Sequence, residues 1–227
     1  MIIAAVGLER ERRIVDGPGV EAIAGGGDKA RLETLLEARG PRASGIISIG
    51  IAGGLAARLR TGDWVLADGV LADGEMMPTE DSWTRRLATR LPEAARGSLL
   101  GADAIVADSD EKAELHRTTG ALAVDMESHV AARVAQRHGL PFAIARVVCD
   151  PAQRTLPPAV RVAMKPDGRV DLAAVLRSLL THPAQVPALI RTGRDAEQAF
   201  GSLLRGQRRL GPGLCGPDLG QLAVDVT

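Results

Sequence analysis

Two acidic residues that border buried segments are the strongest candidates for chemistry in this chain. Asp125-Met126-Glu127 stands where a short apolar segment turns into a predicted helix, and Asp150 comes after the apolar run 142–148. The Glu127 carboxylate could accept hydrogen bonds from both vicinal hydroxyls of a ribose, and the Met126 thioether could pack against the apolar face of the sugar. A helix-capping acid beside a core methionine is the alternative, and the residues alone leave both interpretations open.

At Asp150, partial removal of water would raise the pKa of the carboxyl group and let it act as a general acid near neutral pH. The alternative is an aspartate that caps the following turn, because Pro151 comes next. Cys149, between the apolar run and Asp150, fits a small packed hydrophobic residue better than a nucleophile. Two acids, each at the mouth of a buried element, are what cleavage of a glycosidic bond requires.

Two further segments follow predicted strands. Glu9 and Glu11 lie in the charged run after Gly7, where a carboxylate could activate water or hold a ribose hydroxyl; the favoured alternative is the solvated start of a helix. Between these two glutamates, only the family resemblance described below favours Glu11. The second segment is Gly50-Ile51-Ala52-Gly53-Gly54. Its backbone N–H groups could line an oxyanion or phosphate niche, or the segment could form a tight turn that needs glycine. The spacing of its glycines differs from the dinucleotide-binding fingerprint.

The elements that position these residues alternate along the chain. Apolar runs predict strands over 1–7, 20–24, 44–49, 64–71, 99–107, 121–124 and 142–148, and helices are predicted over 29–39, 83–91, 110–116 and 127–138. This alternation predicts one α/β domain, residues 1–210, with a twisted mixed and largely parallel sheet flanked by helices. Its last part contains helices over 172–180 and 186–210, and residues 211–227 are predicted to form a flexible tail.

Composition narrows the function classes. The 227 residues include 2% aromatics and no tyrosine, which disfavours single-stranded nucleic-acid binding because that relies on ring stacking. Formal net charge is zero, and the four histidines show no metal-ligand spacing, so neither a metal nor another cofactor is predicted. Two cysteines without a disulfide framework, and no segment typical of a signal peptide or a membrane span, favour a soluble cytoplasmic protein.

The C-terminal part has an excess of basic residues and aliphatic helix faces. Contact with an anionic membrane surface is one interpretation of that combination. Packing of these helices onto the sheet or onto a partner subunit is the favoured alternative.

Taken in order, several motifs resemble the purine nucleoside phosphorylase and nucleosidase superfamily. They are the first-strand Gly7 followed by an acid, Gly50 to Gly54, Val124-Asp-Met-Glu127 and Arg146-Val-Val-Cys-Asp150. Within that superfamily, the chain is most similar to the hopanoid-associated phosphorylases. The segments that carry this closer resemblance are 112–119, 124–129, 140–142 and 167–172.

The resemblance implies a nucleoside phosphorylase-like fold, a homo-oligomer of at least two subunits, and roles for individual residues. Glu11 would orient or deprotonate the attacking nucleophile, Glu127 would hold the ribose hydroxyls with Met126 beneath the sugar, and Asp150 would protonate the purine at N7. Other expected substrate contacts are Asp125, Gly50, Ile51, Ala52, Gly53, Gly54, Ile105 and Cys149.

The substrate implied by the hopanoid branch is adenosylhopane, a lipid-linked adenosine from which adenine is released. The alternatives are a methylthioadenosine/S-adenosylhomocysteine-type nucleosidase and a non-catalytic nucleoside-binding or membrane-associated scaffold protein. Two residues depart from the pattern: Ile105 stands where nucleosidases often carry an aromatic ring, and Cys149 stands where serine is common. Phosphate and water both remain open as nucleophile, and the expected phosphate ligands are Arg10, Arg12, Arg58 and Arg60.

Overall fold

The computed structural model describes residues 1–161, 177–178 and 181–217. The predicted helix 172–180 falls mostly outside these residues, as does the end of the predicted tail from residue 218. The strands are β1 (Ile2–Val6), β2 (Val20–Ala24), β3 (Gly45–Gly54), β4 (Trp64–Ala72), β5 (Glu75–Pro78), β6 (Ala95–Gly101), β7 (Ala123–Asp125) and β8 (Phe142–Asp150). The helices are α1 (Glu9–Val15), α2 (Lys29–Glu37), α3 (Asp81–Arg90), α4 (Ser109–Thr119), α5 (Ser128–Arg137), α6 (Pro158–Arg161) and α7 (Val186–Leu210).

The eight strands form one mixed sheet. The pairs β1–β2, β1–β3, β3–β8, β4–β6 and β6–β7 are parallel, whereas β3–β7, β4–β5 and β4–β8 are antiparallel. Consequently β3, β8, β4, β6 and β7 pair in a closed ring, to which β1 and β2 are added on one side and β5 on the other. The prediction of a mixed, largely parallel α/β sheet is confirmed.

Helices cover both faces of this sheet, because its strands are apolar on both sides. On one face, Leu32 and Leu36 of α2 pack with Val130 and Val134 of α5. On the other face, α3, α7 and the C-terminal segment pack against the alternate side chains of the strands. No helix among the described residues is long and apolar enough to pass through a membrane.

Three local predictions were wrong, each for a physical reason. The glycine segment 50–54 forms neither a turn nor a loop, because β3 continues through it and pairs with β7 and β8. Strand β6 ends at Gly101, before the predicted end at residue 107. The predicted tail is packed as far as residue 217: Leu214 is buried, and its carbonyl oxygen accepts a hydrogen bond from Trp83 Nε1 at 2.9 Å.

Candidate active site

A cavity of about 350 Å³ lies where β1, β3, β7 and β8 end. Four carboxyl groups contribute to its wall, and most of the remaining lining is apolar. The acids are Glu11, Asp125, Glu127 and Asp150. A small cavity with a few convergent polar groups is the usual form of a small-molecule site.

Arg146 lies beneath this cavity and binds two of its acids. The guanidinium is fully buried, and its Nη2 lies 2.5 Å from Asp125 Oδ2 and 3.2 Å from Glu127 Oε2. The same nitrogen donates to Ser48 Oγ at 2.6 Å. Since β8 carries Arg146 into the centre of the sheet, the buried charge is stabilised by carboxylates rather than by water.

Asp125 has a structural task as well. Its Oδ1 accepts the backbone N–H of Ser128 at 3.1 Å, at the start of α5, and its Oδ2 accepts the Ser128 hydroxyl at 2.5 Å. The side chain of Glu127, the residue just before α5, makes no capping hydrogen bond. Asp125 therefore caps the helix, which leaves the Glu127 carboxylate directed at the cavity.

Glu11 is the third acid of this cluster, and α1 turns it inward. Its Oε2 accepts the backbone N–H of Leu8 at 2.5 Å, closing the first turn of the helix, and its Oε1 accepts the N–H of Ile51 at 2.6 Å. Glu11 is only 1% exposed. The favoured expectation of a solvated charged residue is therefore wrong for Glu11, and the Ile51 N–H, which was expected to serve an anion niche, is occupied by this carboxylate.

Burial governs the protonation of this cluster. Burial raises the pKa of Glu127 to about 8, and the neighbouring Asp125 and Glu11 act in the same direction while Arg146 opposes them. Burial also raises the pKa of Glu11, against the effects of Arg146 and of three backbone N–H donors, those of Ile51, Leu8 and Gly7. Three carboxyl groups face one guanidinium, so the cluster retains a proton near neutral pH.

Glycines make room for the acids. A Cβ atom on Gly7 would lie 3.0 Å from Glu127 Oε1 and 3.3 Å from Glu11 Oε2. A Cβ on Gly50 would collide with Glu11 Oε1 and lie 2.9 Å from Arg146 Nη1. Gly7 and Gly50 therefore allow the backbone to approach the carboxylates closely. Of the three glycines in the 50–54 segment, only Gly53 lines the cavity itself, together with Ile51 and Ala52.

Asp150 lines the same cavity, at the end of β8. The pairing of β8 with β3 shifts by one residue at Cys149, so that Gly53 faces Asp150 while Ala52 faces Val148. This bulge directs the Asp150 side chain to the cavity. Burial raises the pKa of Asp150, opposed by the buried Lys112, whose Nζ lies 2.5 Å from Asp150 Oδ2.

The apolar wall comes from residues on both sides of the sheet. Met126 and Ile105 line the cavity as expected, and so does Cys149, whose burial raises its pKa to about 12 and leaves the thiol uncharged. The sequence did not indicate the part of the wall that comes from the loop after β8, from α6 and from α7. That part consists of Leu156, Val160, Thr192, Ala196 and Phe200.

The four arginines expected at a phosphate do not line the cavity. Arg10 binds Glu197 and lies over the Phe200 ring, 4.2 Å from its centroid. Arg12 binds Glu9 at 2.8 Å, and Arg58 and Arg60 are exposed. The structure therefore brings together the predicted acids but not the predicted phosphate ligands. Gly50 and Gly54, which were expected to contact the substrate, are also absent from the cavity wall.

A mixed α/β sheet with acids gathered at its strand ends is an arrangement that can support cleavage of a glycosidic bond. The chain belongs to the phosphorylase superfamily, whose family model matches residues 28–182. This confirms the resemblance at the level of the superfamily and the prediction of an enzyme. The hopanoid-associated branch stays a prediction.

Solved structures share the fold. The 5′-methylthioadenosine/S-adenosylhomocysteine nucleosidase of Helicobacter pylori is 14% identical and superposes with a TM-score of 0.66 over 92% of this chain and 95% of its own. The corresponding enzyme of Neisseria meningitidis, in complex with methylthio-immucillin-A, is 17% identical with a TM-score of 0.65, covering 91% and 97%. The S-adenosylhomocysteine nucleosidase of Streptococcus pyogenes is 18% identical with a TM-score of 0.61, covering 90% and 96%.

Proposed function

We propose that this protein hydrolyses the N-glycosidic bond of an adenine nucleoside with a small apolar 5′ substituent, in the manner of a methylthioadenosine/S-adenosylhomocysteine nucleosidase. The observation that carries the proposal is that Glu11, Glu127 and Asp150 line one largely apolar cavity. The similarity in fold to nucleosidases with this activity supports the choice of substrate class.

Each acid has a separate role in the proposed reaction. Glycosidic cleavage passes through an oxocarbenium-like transition state, which nearby carboxylates stabilise. Glu127, with Met126 beside it, binds the ribose hydroxyls. Glu11 takes a proton from the attacking water, and Asp150 donates a proton to N7 of the departing purine, so that adenine leaves as a neutral molecule.

Electrostatics favours water over phosphate as the nucleophile. Within the part of the chain that the structure describes, no lysine or arginine side chain lines the cavity. The Arg146 charge is already matched by Asp125 and Glu127. A phosphate dianion would therefore lie beside carboxyl groups without a cation of its own, whereas neutral water would not be repelled.

The cavity size and wall favour a small 5′ group. The described cavity, about 350 Å³, lies near the lower end of the range for small-molecule sites. Leu156, Val160 and Phe200 offer apolar contacts suited to a thioether. The polycyclic part of adenosylhopane would have to lie outside this volume, so the lipid-linked substrate stays a prediction that the same assay tests.

A product assay tests the proposal. Purified protein receives methylthioadenosine, S-adenosylhomocysteine, adenosine or adenosylhopane, each with and without phosphate, and free adenine and the released sugar are quantified. We expect adenine and free methylthioribose from methylthioadenosine at a rate that phosphate does not change. A sugar 1-phosphate as product would overturn hydrolysis, and no adenine from any substrate would overturn the proposed activity.

A matched pair of variants assigns the acid. Asp150→Asn keeps the shape of the side chain but has no proton to donate, and we expect kcat to fall by about 10²- to 10⁴-fold. Asp110→Asn makes the same change at an exposed position on α4 and should leave kcat unchanged. Equal rates for the two variants would remove Asp150 from the mechanism.

A further inference from the structure

Lys112 is a fully buried lysine that the proposed reaction does not yet use. It lies on α4, outside the cavity wall, and its side chain has no exposed surface. The chain contains only three lysines among its 28 basic residues, and the other two are Lys29 and Lys165. A buried ammonium group needs partners for all of its donors, so its contacts identify its role.

The three N–H bonds of Lys112 have three acceptors. Nζ donates to Asp150 Oδ2 at 2.5 Å, to the carbonyl of Arg154 at 2.9 Å and to the carbonyl of Pro151 at 3.4 Å. All three acceptors belong to the end of β8 and the segment after it. The ammonium is therefore fixed by backbone atoms, and the Asp150 carboxylate is fixed by the ammonium.

The segment that carries these carbonyls is itself tied to α4. The backbone N–H of Ser109 donates to Thr155 Oγ1 at 3.1 Å, and the N–H of Leu156 donates to the carbonyl of Ala107 at 2.8 Å. Lys112 is thus held in a rigid frame. A compact ammonium suits this frame better than the planar guanidinium of arginine, which needs acceptors arranged around a plane.

We propose that Lys112 is a positioning residue for Asp150: by holding Oδ2, it makes Oδ1 the oxygen that carries the proton to the purine. This inference rests on the proposed function. In the step, the Oδ1–H bond breaks and the N7–H bond forms. The electron pair stays on the Asp150 carboxylate, whose new negative charge is matched by the Lys112 ammonium beside it.

The geometry has a second consequence, because the cation favours the charged form of its partner. An opposite charge in contact with a carboxyl group lowers its pKa by about 1–3 units. Burial raises the pKa of Asp150, and the contact with the Lys112 ammonium opposes that rise.

The test compares Lys112→Gln, which keeps hydrogen-bond donors but removes the charge, with Lys112→Met, which removes both. Arg117→Gln removes an exposed cation from the same helix and serves as the control. We expect kcat for methylthioadenosine to fall about 10-fold in Lys112→Gln and further in Lys112→Met. The alkaline limb of the kcat–pH profile should move up by about one pH unit or more in both, because the neighbouring cation is lost. If Lys112→Met does not fold, Lys112→Gln carries the test.

A double variant separates positioning from a structural contribution. In an Asp150→Asn background, Lys112→Gln should lower kcat by less than about 3-fold, since Lys112 then has no acid to act on. A further 10-fold loss in that background, or an unshifted pH limb in the single variant, would overturn the inference.

Carbon-13 NMR of the Asp150 carboxyl group tests the role of Lys112 without relying on enzyme activity. The titration of that carbon is followed in the wild type, Lys112→Gln and Asp150→Asn, the last of which assigns the signal. If the wild type releases no adenine, the proposed function fails, and the titration still decides whether Lys112 controls Asp150. An Asp150 titration unchanged by Lys112→Gln would overturn the inference.

Discussion

Replacing Arg146 by methionine should destabilise the protein in a pH-dependent way. Methionine has a similar length and fits an apolar surrounding, but it leaves Asp125 and Glu127 without a cation. Both carboxylates lie within ion-pair distance of the guanidinium, at 2.5 and 3.2 Å, and the guanidinium is fully buried. The loss therefore arises mainly from uncompensated buried charge and only slightly from packing.

The size of the effect follows from the burial of the cluster. Removing one partner of a buried ion pair costs about 3–5 kcal/mol, which for a domain of this size is a fall in Tm of about 6–20 °C. The pKa of Glu127 is raised by burial from an ordinary 4.5 to about 8. Between those values the folded state holds a proton that the unfolded state has released, so stability falls as pH rises through the window. Without Arg146 the pKa of Glu127 rises further, so the fall in stability continues to a higher pH and its total is larger.

Urea unfolding followed by circular dichroism at pH 5 and pH 8 measures this difference. We expect Arg146→Met to lose about 3–5 kcal/mol at pH 8 and clearly less at pH 5, where the protonated Glu127 carboxyl group needs no cation. The control is Arg137→Met on α5, whose 46% exposed side chain pairs with Glu33 and Glu37 and should change stability by less than about 1 kcal/mol. Equal losses at the two pH values would refute the electrostatic explanation.

Three further experiments test other parts of the structure. Gly7→Ala should lower kcat by up to about 10-fold, because the new methyl group pushes the Glu11 and Glu127 carboxylates aside by a few tenths of an ångström. The control is Gly193→Ala, in open space on α7, which should keep kcat and raise stability by about 0.4–1 kcal/mol. Leu214→Ala should lower the free energy of unfolding by about 2–5 kcal/mol in urea titrations, whereas a flexible tail would show no change. Cys149 should resist iodoacetamide at pH 8 until urea is added, since burial raises its pKa to about 12, and rapid labelling of the folded protein would contradict this.

Sequence reasoning succeeded where local signals were strong. The bounds of β2 and α7 agree with the prediction, because glycines flank the strand and Gly211-Pro212 ends the helix. Strand β5 was not predicted, although a signal was present: Asp73-Gly74 lies between two apolar runs, and both residues adopt positive φ in the turn that joins β4 to β5. An Asp-Gly pair in that position is typical of a two-residue hairpin.

The acidic residues of the site could be predicted from the sequence, whereas its buried basic residues were harder to predict. Glu11, Glu127 and Asp150 each follow a strand, so their positions could be inferred from the order of elements. Arg146 gave a weaker signal, a single charge inside the apolar run 142–148. Lys112 gave none, because the carboxylate that it binds lies 38 residues further along the chain and neither motif nor periodicity connects the two.

The closed ring of β3, β8, β4, β6 and β7 has a consequence for how the enzyme is made. Its closing pair joins Ile46 to Phe142, so about two thirds of the chain must be synthesised before β3 and β8 can meet. Contacts of such long sequence separation form late and slowly. Asp150, at the end of β8, takes its place beside Gly53 of β3 only in that event. The cavity therefore gains its proposed acid only when the closed ring of strands is complete.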